Sequence, residues 1–151
     1  MNTAATKVSP RQKKVDRYLR AADIGTIAIL WMVVLEAIFG EERILEDQGW
    51  MFASVGVAFV LIVVSFVYMF ARRRTDEYTL SMWHSGVTLA FFVTMFFALF
   101  GSIVVGMFEG YLESHGQEPI DGAELIQDGL ATVMLLAFYA GFHFKRFTGA
   151  F

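Results

Sequence analysis

No charged side chain interrupts the chain from Trp50 to Phe70 or from Ser85 to Phe108. A helix that crosses the hydrocarbon core of a bilayer needs about 20 predominantly apolar residues, and each run supplies them. Of the 151 residues, 56% are hydrophobic and 16 are Phe. A water-soluble domain of this length has too little interior to hide that surface, so the runs are expected to meet lipid.

Two shorter segments accompany them. One runs from about Ile24 to Phe39 and contains one charge, Glu36; the other runs from Leu130 to Phe144. Signals at their edges extend both into longer helices. Ser9-Pro10-Arg11-Gln12 reads as an N-cap, a Pro at the first helical position and a Gln at the third. A helix begun there carries a basic first half before its apolar part. Asp23 could instead cap a separate spanning helix, and the sequence leaves both starts open. Thr75-Asp76-Glu77 reads as a cap followed by acids in a first turn, which starts the third helix near Asp76. Asp121-x-x-Glu124 has the form of a capping box for the fourth. The expected spans are about 23–40, 50–71, 84–108 and 126–145. They leave a basic, helical segment over 1–22, a transmembrane domain over 23–147 and a short tail over 148–151.

The basic residues set the orientation. Of 12 Lys and Arg, six precede the first segment (Lys7, Arg11, Lys13, Lys14, Arg17, Arg20). Arg72, Arg73 and Arg74 separate the second and third segments, and Lys145 and Arg146 follow the fourth. Only Arg43 lies in the other two loops, which are acidic. By the positive-inside rule the expected fold is an all-α membrane protein, a four-transmembrane-helix bundle with both termini in the cytoplasm. Lys13, Lys14, Arg17, Arg20 and Arg72–Arg74 would fix that topology and meet anionic lipid headgroups. Trp50 and Trp83 fall where indole rings favour the membrane–water interface.

The chain has no cysteine, which removes disulfides, thiolate catalysis and Cys-held metal centres. It carries no Ser–His–Asp pattern, no Gly-rich phosphate loop and no zinc-protease His-Glu motif. No enzymatic activity and no cofactor are expected. Nucleic-acid binding has no aromatic platform to support it. Glu36 lies within a span, where an ionisable residue is costly and suggests function. With Glu109 and Asp128 at the outer ends of the third and fourth segments, it could form an acidic site for a cation or proton. In the plainer reading Glu36 sits close enough to the interface to reach water. His84 and His143, near the cytoplasmic ends of adjacent segments, could ligate haem b or a metal. In the plainer reading they are interfacial histidines. Gly106-x-x-x-Gly110 and Ala137-x-x-x-Gly141 are small-xxx-small patterns that let helix backbones approach closely, within the bundle or between proteins.

The stretch Arg72-Arg73-Arg74-Thr75-Asp76-Glu77-Tyr78 resembles a pattern in small bacterial four-helix inner-membrane proteins. In these a basic cytoplasmic turn passes through an Asp-Glu pair into the third helix. The resemblance covers one helix start, implies a bacterial cytoplasmic membrane and brings no activity with it. Small multidrug transporters also have four helices and a glutamate in the first. Here Glu36 is near the outer end and the second external loop is long, so that resemblance is poor.

Three functions follow as expectations. The first is a non-enzymatic accessory or structural subunit, acting through contacts with lipid and with another membrane protein or itself. The second is a cation- or proton-coupled transport protein using Glu36, Glu109 and Asp128. The third is a haem b or quinone redox subunit.

Overall fold

The computed structural model describes residues 9–40, 49–115 and 122–149, with side chains over the last stretch described from 129 onward. It is all helical among the described residues: α1 is Pro10–Phe39, α2 Trp50–Arg72, α3 Glu77–Ser114 and α4 Gly122–Thr148. The first three are long and apolar enough to cross a membrane. The chain divides into two compact units, Met1–Trp83 and His84–Phe151.

In the first unit α1 runs unbroken through Asp23, which removes the separate start there. Ser9 caps it, its Oγ accepting from the Gln12 N–H at 3.2 Å, with Pro10 at the first helical position. That Pro has no N–H to leave unsatisfied. The far end closes at Gly40, whose φ of 75° suits a residue without a Cβ. Its N–H donates to the Glu36 carbonyl at 2.9 Å.

α1 and α2 pack antiparallel. Tyr18, Ala22, Gly25, Ile29 and Leu35 are buried along α1, and Met51, Ala58, Ile62, Ser65 and Met69 along α2. Both stripes step mainly by three and four residues, which keeps one helix face in contact. Lipid is as apolar as these side chains, so close packing and polar contacts must hold the pair. Small residues admit the approach. Ser65 Oγ donates to the Ala21 carbonyl at 2.6 Å, and Phe39 meets Trp50 edge-on, ring centroids 6.3 Å apart.

The turn from α2 to α3 is tied locally. The Thr75 hydroxyl donates to the Arg72 carbonyl at 2.7 Å. Asp76, rather than Thr75, holds the capping place. Its carboxylate accepts from the Glu77 N–H at 2.9 Å, while its own N–H donates to Thr79 Oγ1 at 3.1 Å. The Thr79 bond is the return half of a capping box, while the Asp76 carboxylate takes the N–H of the first helical residue rather than that of the third. Arg11, on the first turn of α1, pairs with the Asp76 carboxylate.

In the second unit α3 and α4 cross tightly at Gly86 and Gly141. A Cβ on Gly86 would lie 2.7 Å from the Phe138 carbonyl oxygen, and one on Gly141 would lie 2.8 Å from that of Ser85. Ser85 Oγ donates to the Gly141 carbonyl at 3.0 Å. Ala137, Phe138, Tyr139 and Phe142 are buried around this crossing point on α4.

Candidate functional site

Three contacts fix how α1 lies along α2: Arg11 with Asp76, Ala21 with Ser65, and Phe39 with Trp50. By this register Glu36 stands level with the first turn of α2, and its side chain is exposed. Glu36 therefore belongs to the rim of the pair at its Gly40 end, not to its middle. Glu109 is half-buried on α3 in the second unit. Asp128 falls on α4, but its side chain lies outside the described residues, as do those of Asp121 and Glu124. Among the described residues no three His, Asp or Glu side chains come together as a metal site would require.

The polar groups within the apolar runs are directed to backbone. Thr26 Oγ1 donates to the Ala22 carbonyl and Thr94 Oγ1 to that of Ala90, each at 2.8 Å. Such bonds satisfy a hydroxyl in lipid without offering it to a solute. Ser65 uses the neighbouring helix instead, so it ties α1 to α2.

Basic residues gather at one end of the first unit, where Arg11 meets Asp76. Lys13, Lys14, Arg17 and Arg20 are all exposed on α1, and Arg72 and Arg74 are exposed at the turn. Arg73 is held: its guanidinium lies 3.8 Å from the centroid of the Phe70 ring and donates to the Phe70 carbonyl. That arrangement lets an arginine keep its charge beside apolar surface.

His84 and His143 flank the α3–α4 crossing. His84 is exposed; His143 is half-buried, stacked on Phe147 with ring centroids 5.8 Å apart and edge-on to Phe142 at 5.4 Å. The helices touch at this level, through Ser85 and Gly141.

The four small residues differ in place. Ala137 and Gly141 are buried at the crossing. Gly106 and Gly110 are exposed, and a Cβ on either would meet nothing within 4 Å among the described residues. Around them Phe100, Ile103, Met107 and Phe108 are exposed as well. The partner of Gly141 is Gly86, which opens a further small-xxx-small pattern with Ala90. That spacing was the signal available for it. Trp83 is covered by α2. It is 8% exposed and packs on Phe66 and Phe70, with ring centroids 5.4 and 5.8 Å away. Trp50, at 60% exposed, remains open at the start of α2.

No known protein family, curated protein or solved structure matches this chain.

Proposed function

We propose that this chain is a four-span protein of a bacterial cytoplasmic membrane, with both termini inside. In this reading it acts without catalysis, as an accessory subunit docking by helix contacts onto another membrane protein or a second copy. The carrying observation is the open pair Gly106 and Gly110 on α3. Both glycines interrupt a helix that would otherwise favour larger side chains, and close backbone approach is what small residues offer in a membrane. At the α3–α4 crossing the same device is already in use within the chain, through Gly86 and Gly141.

The fourth span rests on α4, which is uncharged from Gly129 to Phe144 and then meets Lys145 and Arg146. The inside termini rest on the charge distribution. A transport role would call for polar side chains near the middle of the spans. The hydroxyls of Thr26, Thr94 and Ser65 bond to backbone instead.

Two experiments test this reading. The chain has no cysteine, so single cysteines at positions 2, 45, 118 and 150 give a clean topology map. Labelling from outside only at 45 and 118 is expected; labelling of 2 or 150 from outside overturns the topology. Replacing Gly106 and Gly110 by Ile should remove the partner, or the second copy, that co-purifies in mild detergent. Unchanged co-purification rejects the docking face.

A further inference from the structure

The face of α1 that carries Lys13, Arg17 and Arg20 continues upward as Ile24, Ile27 and Trp31. The steps are four, three, four, three and four residues, so all six lie along one side of the helix. The upper three line a groove of about 550 Å³ between α1 and α2, walled on the other side by Ala53, Val57 and Leu61. Ser54 is the polar residue of that lining, and its hydroxyl donates to the Met51 carbonyl at 2.8 Å. An apolar groove thus stands directly above a basic ladder, within one compact unit.

We propose that the α1–α2 pair holds one anionic phospholipid, its phosphate against Arg17, Arg20 and Lys13 and one acyl chain in the groove. The dimensions agree. From Arg20 to Trp31 the helix rises about 16 Å, close to half of a hydrocarbon core about 30 Å thick. Charge selects the occupant. A second copy seated on this face by two-fold symmetry would set one basic ladder against another, which is repulsive. Asp16 and Asp23 stand four and three residues from Arg20, within reach of its guanidinium, and bring the net charge of the ladder from +3 to +1, which stays positive. Free phosphate would meet the cations but leave the groove empty. Cations beside the membrane surface attract anionic lipid additively, and guanidinium groups bind phosphate oxygens in pairs.

A lipid held there also fits the register of the two helices. Arg20 stands level with the Val67 region of α2, so the uncharged part of α2 extends beyond that of α1 by more than one turn. A phosphate drawn to Arg17 and Arg20 lets headgroups reach that depth while the end of α2, with Tyr68 and Arg72, lies among them. This inference rests on the membrane reading above, but not on the fourth span or on a protein partner.

The test uses the full chain, reconstituted with equal phosphatidylglycerol and phosphatidylcholine and released into mild detergent for native mass spectrometry. One retained phosphatidylglycerol per chain is expected. The exposed double change Arg17→Gln/Arg20→Gln should lower its retention at least ten-fold, from roughly five-fold per cation. Ala53→Phe, which fills the groove and leaves the charges, should lower it too. Lys145→Gln/Arg146→Gln should leave it unchanged. Equal retention of phosphatidylcholine, full retention in either the arginine or the Ala53 variant, or displacement by glycerol phosphate overturns the proposal; the last would mark a site for free phosphate. Carbonate extraction separates the premises. A chain that washes off membranes refutes the membrane reading, whereas a chain that stays without lipid selectivity refutes this inference alone.

Discussion

Alanine at Gly141 probes the α3–α4 crossing most sharply. The added Cβ would lie 2.8 Å from the Ser85 carbonyl oxygen, 3.0 Å from Leu89 Cβ and 3.2 Å from Gly86 Cα. Two of these are backbone atoms, which cannot swing aside as a side-chain tip can. Ordinary contact begins at 3.4 Å, so the helices must part by 3.4 − 2.8 = 0.6 Å. Such a movement stretches the 3.0 Å bond from Ser85 Oγ to the Gly141 carbonyl to the edge of hydrogen-bonding range. The bond contributes about 0.6 kcal/mol in a membrane, and overpacking costs about 1–3 kcal/mol. A loss of roughly 2–3 kcal/mol is therefore expected. Reversible unfolding in bicelles measures it, with Gly106→Ala as the control expected within about 0.5 kcal/mol of the parent. Gly86→Ala opens the same gap, since its Cβ would lie 2.7 Å from the Phe138 carbonyl oxygen. Once the helices have parted, the second alanine costs less, so the double variant should lose less than the sum of the two. Gly141→Ala as stable as Gly106→Ala, or strict additivity in the double variant, would refute the reasoning.

Ser65→Ala removes the bond to the Ala21 carbonyl and should cost about 0.6 kcal/mol and at most about 1.7 in the same assay. Ser9→Ala removes the cap of α1 and should cost about 1 kcal/mol, with faster hydrogen exchange confined to the first turn. Glu36→Gln should leave cation flux into proteoliposomes at the level of the parent, because Glu36 is exposed at one rim of the α1–α2 pair, away from its middle. A flux that depends on Glu36 would favour the transport reading.

The helices themselves were legible because their signals are local. Long uncharged runs mark α2 and α3, and Ser9-Pro10 marks the start of α1, where the backbone N–H groups need a side-chain oxygen. By sequence Asp76 is the first acid after a cap at Thr75. The difference comes from Thr79, which reaches back to the Asp76 N–H and fixes that residue as the cap. Long-range placement was less legible. That Phe66 and Phe70 cover the ring of Trp83 is a contact between α2 and α3 that no local pattern carries. Ser65 reads as a residue that bonds its own helix, and only the antiparallel register shows the Ala21 carbonyl in reach. Gly86 and Ala90 have the same small-xxx-small spacing as Gly106 and Gly110, and the spacing alone does not single out Gly86 as the partner of Gly141. Small-xxx-small spacing identifies helix faces able to pack closely, but not the ones that do so within the chain: Gly141 is closed and Gly106 is open.

The most direct test of the central claim is the mass of the intact particle extracted gently from native membranes. The account predicts a particle heavier than the 17.0 kDa chain with its lipid, containing a second copy or a stoichiometric membrane partner. It also predicts that Gly106→Ile/Gly110→Ile reduces the particle to the single chain. A lone chain from native membranes, carrying lipid and no protein, would contradict it.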